Sequence, residues 1–181
     1  MKKMSTVCVF CGSSNPADPD FLSAARRVGE LIAQNNLTLL YGAGKTGMMG
    51  AVAASCIAAS GKVIGVTHER EARHATHLEG LATLEVMKTL PERKARMIEI
   101  ADAFIILPGG IGTIDEFFEV LANSQICTNR KPLALLNVKG YFDALLTWFE
   151  RAAREGYISQ GDLGLFIIEQ DAEVLLKLLK T

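Results

Sequence analysis

The chain has 181 residues, 49% of them hydrophobic, and a formal charge of −1 at pH 7, enough for a single domain with a core of its own. Such a charge balance excludes a basic nucleic-acid surface and a disordered acidic tail. No apolar run approaches the length of a membrane span, and the start Met1 to Thr6 lacks the long apolar region and cleavage site of a signal peptide, so a cytoplasmic protein with no membrane partner is expected.

Short apolar runs alternate with longer periodic ones. Thr6 to Phe10 is predicted as the first strand, ending in the turn Cys11 to Pro16. Phe21 to Gln34 follows, with Leu22, Ala25, Val28, Leu31 and Ile32 at helical spacing. Thr38 to Tyr41 reads as a second strand, and Gly47 to Ser60 as a helix whose small residues predict tight packing. Lys62 to Thr67 is a third strand, His68 to Gly80 a polar stretch without a clear period, and Thr83 to Met87 a fourth strand. Pro91 opens a helix to about Ala101, proline being favoured in a first turn. Ala103 to Leu107, Leu133 to Asn137 and Leu165 to Ile168 complete the strands. Helices are predicted at Ile114 to Cys127, Phe142 to Glu155 and Ala172 to Lys180. Alternation of this kind predicts a Rossmann-like α/β domain over residues 1–181. It is a three-layer fold in which helices cover both faces of a mostly parallel sheet, with ligands at the carboxyl ends of the strands.

Four cysteines are present, and Cys8-Val9-Phe10-Cys11 has redox-motif spacing. Cys8 falls inside a strand, not at a helix start that would lower its pKa, so buried reduced thiols are the favoured reading. Cys56 and Cys127 make no second pair of that spacing, and no zinc site is expected.

Two glycine-rich stretches stand at strand-to-helix corners. Pro108-Gly109-Gly110-Ile111-Gly112-Thr113-Ile114-Asp115-Glu116 follows an apolar strand and leads into an amphipathic segment. Backbone without side chains and the open N–H groups of a helix start suit a phosphate, with Glu116 one turn away. Thr113 and Glu116 also have the spacing of a capping box, in which the carboxylate merely satisfies a backbone donor. The glycines at 109, 110 and 112 exceed what a cap requires, which favours phosphate. The second stretch, Tyr41-Gly42-Ala43-Gly44-Lys45-Thr46-Gly47, fails as a Walker A loop because Leu39 stands where a glycine is needed. It matches the dinucleotide fingerprint at Gly42, Gly44 and Gly47, with Glu69 available for a ribose. A tight turn with close helix–sheet packing explains the same glycines equally well.

Together these stretches resemble the LOG ("Lonely Guy") family of phosphoribohydrolases that act on nucleoside 5'-monophosphates. The likeness runs from Val7–Ser14 through Tyr41–Gly44 and Met48–Gly50 to Arg93-Lys94-Ala95-Arg96-Met97. It continues over the whole of Pro108–Glu116 and the tail segments Asn137–Phe142 and Glu155–Ile158. The resemblance implies hydrolysis of the N-glycosidic bond to free base and ribose 5-phosphate, without metal or organic cofactor, by a homodimer. It implies that Glu116 and Arg93 are catalytic. Glu116 would stabilise the oxocarbenium-like sugar and orient water, and Arg93 would offset charge on the departing base. Gly109, Gly110, Ile111, Gly112, Thr113, Ile114 and Asp115 would bind the small-molecule nucleotide, with Ser14, Gly44 and Lys94 lining the pocket. Some relatives carry a lysine decarboxylase label, which no pyridoxal phosphate signature here supports.

Departures from the family pattern cluster where the base should lie. Leu90-Pro91 replaces Met-His, Ala75 stands in place of a glutamate, and Ala122-Asn123 replace Thr-Trp. The phosphate and sugar machinery is thus kept and the base pocket rebuilt, with AMP-like substrates expected. His74 and His77 with Glu71 have metal-ligand chemistry, but one polar loop reads better as a surface or lid. A nucleotide carrier of the same fold is the alternative to an enzyme.

Overall fold

The computed structural model describes residues 4–74, 78–126 and 130–180, without the side chains of residues 73 and 74. Seven strands form one sheet: β1 (Thr6–Phe10), β2 (Thr38–Tyr41), β3 (Lys62–His68), β4 (Thr83–Met87), β5 (Ala103–Ile106), β6 (Leu133–Leu136) and β7 (Ile167–Glu169). Every pairing is parallel, in the order β4-β3-β2-β1-β5-β6-β7. The helices are α1 (Pro19–Gln34), α2 (Gly47–Ala58), α3 (Glu69–His74), α4 (Leu90–Ile100), α5 (Ile111–Ile126), α6 (Asp143–Arg154) and α7 (Ala172–Leu178). This is the expected α/β architecture.

Strand alternation divides the core into two layers. Val7, Val9, Leu39, Tyr41, Ala103 and Ile105 face α1, α2 and α7. Cys8, Phe10, Leu40, Phe104 and Ile106 face Met97 of α4, Phe117 of α5 and Phe149 of α6. The chain runs outward from β1 to β4, then returns to the other side of β1 with β5. Connections therefore diverge beyond the carboxyl ends of β1 and β5 and leave a crevice there.

The small residues of α2 pack as expected, because α1 offers Gly29 to them. A Cβ at Gly29 would collide with Val52 O and Ser55 Oγ, and Ser55 already donates to Arg26 O at 2.9 Å. Gly29→Ala is expected to lower stability by about 1–3 kcal/mol despite alanine's better helix propensity. Chemical denaturation would show this as a lower midpoint at unchanged slope.

Three expectations change. Helix α5 starts at Ile111 rather than Ile114, so Thr113 lies within the helix and is no N-cap. The capping box belongs to α4, where Thr89 Oγ1 accepts from Glu92 N and Glu92 accepts from Thr89 N. Glu116 is thereby released from a capping role. The polar stretch after β3 contains α3, whose Glu71 N–H donates to His68 Nδ1 at 3.1 Å. Strand β7 begins two residues late, because Leu165 closes the turn Asp162–Gly164 by donating to Asp162 O at 3.1 Å and the buried Phe166 follows it.

Candidate active site

The crevice is a cavity of about 950 Å³, walled by both glycine stretches and the start of α4. Its floor is stitched between adjacent strand ends. Leu107 N donates to Phe10 O at 2.9 Å, and Gly12 N donates to Pro108 O at 3.0 Å. Gly109 must be glycine, since a Cβ there would collide with Thr113 Oγ1 and stand 2.7 Å from Gly12 N.

Gly110 and Gly112 are different. Nothing lies within 4 Å of where a Cβ would stand at either position, and neither has a positive φ. Neither packing nor backbone conformation therefore requires glycine at either place. Both line the cavity at the start of α5, where the first N–H groups of a helix have no partner within it. That is the geometry of an anion cradle.

Arg93 and Glu116 meet at the cavity's buried end. Arg93 projects from the first turn of α4, and its Nη1 donates to Glu116 Oε1 at 3.0 Å while Nε donates to Val66 O at 3.0 Å. The two residues are 7% and 5% exposed. Both ends of the guanidinium are thus fixed to different elements, β3 and α5. Gly42 makes room for it, because a Cβ there would collide with Arg93 Nη2. Burial pushes the Glu116 carboxyl up to about 7, against the opposing pull of the Arg93 charge. A carboxyl poised near neutrality in a cleft is suited to chemistry more than to stability.

Of the other residues singled out from sequence, Ser14, Gly44, Lys94, Ile111, Thr113 and Asp115 all line this cavity. Lys94 is not free there, since its ammonium pairs with Asp115 at 2.9 Å and with Glu119. Those hydrogen bonds, to Glu119 first, raise its pKa. Ile114 is not part of the wall. Its N–H donates to Gly110 O at 3.2 Å, and its side chain packs on the phenylalanine layer.

Two glycines of the dinucleotide fingerprint, Gly42 and Gly47, serve close packing. Gly47, at φ 61°, lies under the loop after β1, where a Cβ would collide with Ser14 O. Its N–H donates to Asn15 Oδ1 at 3.1 Å, so this donor at the start of α2 is already used. Glu69 does not reach the cavity wall. Cys8, Cys11 and Cys56 are free and buried, with burial raising each thiol's pKa; Cys127 lies outside the described residues. So do Ala75 and His77 and the side chain of His74, and with them the suggested metal set. Ala122 is exposed on α5 and does not line the cavity, whereas Leu90 and Pro91 do.

Sequence reasoning missed Thr67 and Tyr141 in the wall, which also holds Glu71 of the polar stretch. Thr67 follows Val66, the residue that anchors Arg93, and its hydroxyl lies 3.5 Å from Glu71 Oε2. Tyr141 donates to Gly109 O at 2.7 Å. Neither carries a local signal: Thr67 closes β3, and Tyr141 arrives from the connection after β6.

Among solved structures, a molybdenum cofactor binding protein from Rippkaea orientalis has the same fold, with TM-score 0.75 at 24% identity over 99% of this chain and 97% of that one. A molybdenum cofactor carrier protein from Chlamydomonas reinhardtii gives TM-score 0.73 at 19% identity, over 98% of each chain. Sequence relatives are nearer. A cytokinin riboside 5'-monophosphate phosphoribohydrolase from Rhodococcoides fascians is 39% identical, covering 93% of this chain and 85% of its own. The probable enzyme of that name, LOG4, from Oryza sativa is 38% identical, covering 96% and 76%. The family model described as "possible lysine decarboxylase" matches residues 49–179. With that match and relatives of this identity over nearly its whole length, the chain belongs to the LOG family of phosphoribohydrolases.

Proposed function

We propose that this protein hydrolyses the N-glycosidic bond of AMP-like nucleoside 5'-monophosphates, releasing the free base and ribose 5-phosphate. The observation that carries this reading is the buried Arg93–Glu116 pair beside the cradle of Gly110 and Gly112. The 5'-phosphate sits at the start of α5, on backbone N–H groups near Gly110 and Gly112. As the bond to the base lengthens, positive charge grows on the sugar and Glu116 stabilises it while orienting water for attack at C1'. Negative charge grows on the base, and Arg93, permanently charged, offsets it.

A carrier would gain nothing from a carboxylate near a bound phosphate, where the charges repel. The resemblance to molybdenum cofactor proteins, at 24% identity or less, extends to the fold alone. A pyridoxal phosphate decarboxylase fits poorly too. Lys94 is the lysine of the cavity wall, and two carboxylates hold it charged, whereas a Schiff base needs a neutral amine. The family's dimeric assembly and a cytoplasmic setting belong to the same proposal. No helix among the described residues is long and apolar enough to cross a membrane.

Phosphate recognition gives the direct test. AMP and adenosine, incubated separately with the protein, should differ by about a hundredfold or more in kcat/KM for adenine release, since remote binding energy drives the reacting centre. Equal rates would refute the cradle as a phosphate site. A pH profile tests Glu116. Its carboxyl titrates near 7, and the ionised form does the work. Log kcat/KM should therefore rise with unit slope as pH increases toward about 7 and then level. A profile flat from pH 5 to 8 would contradict that role.

A further inference from the structure

The glycine cradle, which follows β5, is braced by the segment after the neighbouring strand, β6. After β6, Asn137 turns the chain, with Nδ2 donating to Asp143 Oδ1 at 2.7 Å and Oδ1 accepting from Phe142 N at 2.8 Å. Lys139 and Gly140 then take consecutive left-handed conformations, at φ 52° and 72°. That conformation is costly for a lysine. Lys139 is held in place by Asp18 at 2.7 Å and Asp20 at 2.9 Å, both at the start of α1. The strained turn delivers Tyr141, whose ring meets Phe21 of α1 edge-on at 5.6 Å. The tyrosine hydroxyl donates to Gly109 O at 2.7 Å.

That hydrogen bond falls on the peptide linking Gly109 to Gly110. A peptide between two glycines has the least steric resistance to rotation as a unit, and no neighbouring atom restrains Gly110 where a Cβ would stand. Because a trans peptide is planar, fixing the Gly109 carbonyl fixes the Gly110 N–H in the opposite direction. If this peptide flipped, a carbonyl oxygen would replace an N–H at the edge of the cradle and repel an anion.

We propose that Tyr141 is a positioning residue for phosphate binding, locking the Gly109–Gly110 peptide in its anion-accepting orientation. This inference rests on the reading of the cradle as a phosphate site. It assigns Tyr141 no part in bond cleavage.

The experiment uses Tyr141→Phe, which keeps the ring against Phe21 and removes only the hydroxyl. KM for AMP should rise about five- to tenfold, the worth of one hydrogen bond, with kcat changed less than about twofold. Calorimetry should show the same loss for ribose 5-phosphate, little change for adenosine, and a melting temperature within a few degrees of wild type. If AMP and ribose 5-phosphate bind Tyr141→Phe as tightly as wild type, or if adenosine binding falls in parallel, the proposal is wrong. Should wild type release no base, the hydrolase reading fails, and ribose 5-phosphate affinity in the two proteins still decides the role of Tyr141. No ribose 5-phosphate binding by wild type would remove the cradle and this inference together.

Discussion

Replacing Glu116 with glutamine is expected to lower base release from AMP at least about a thousandfold, on the order of 4 kcal/mol of lost transition-state stabilisation. The amide is nearly isosteric, so the cavity keeps its shape. What disappears is the negative charge that the sugar requires as the base departs. Arg93 loses its ionic partner but keeps Val66 O through Nε, so its position over Gly42 should persist. Substrate binding should survive, because repulsion between carboxylate and phosphate is relieved. The expected pattern is therefore kcat collapsing while affinity for AMP holds or improves. A variant that retains a tenth of the wild-type rate would show that Glu116 is a structural partner of Arg93. The acidic limb near pH 7 should also vanish from whatever residual rate the variant shows.

Gly112→Val should give the second largest effect, and by a different route. Helix α5 makes no demand for glycine here, since nothing occupies the Cβ position and φ is ordinary. Valine costs little as a helix residue next to glycine, and thermal unfolding should move by no more than a few degrees. Its side chain, however, projects into the cradle and displaces a phosphate by more than 1 Å. Misplacement of that size is expected to cost about a hundredfold or more in kcat/KM. Measured together, an unchanged melting temperature and a lost activity identify a glycine kept for its ligand. Unaltered kinetics would mean that the phosphate lies elsewhere in the cavity.

Much of this was legible in the chain. Apolar runs of four or five residues between helical periods gave the strands, and their alternation gave the parallel sheet and the edge where the site lies. Glu116, Gly109, Gly110 and Gly112 belong to one compact motif and Arg93 to the family resemblance, and the structure brings them to one cavity. Sequence pattern places the start of α5 three residues late, since Gly112 in a first turn looks like loop. The structure starts the helix at Ile111 and puts Gly112 inside its first turn, with nothing near its Cβ position. Gly42 was read as a possible cofactor contact, and the reason for it, the guanidinium of Arg93, lies 51 residues further along. Tyr141 was invisible for the same reason: its partner Gly109 stands 32 residues away across a sheet connection. Contacts between β–α units depend on sheet order, which local pattern does not encode.

In the proposed reaction the buried pair breaks a glycosidic bond in a phosphate-anchored nucleotide. Chromatography of AMP incubated with wild type and with Glu116→Gln tests it most directly. Wild type should convert AMP to adenine and ribose 5-phosphate in equal amounts, while Glu116→Gln binds AMP and returns it intact. AMP that binds to wild type and is recovered unchanged would contradict the hydrolase and leave a nucleotide carrier.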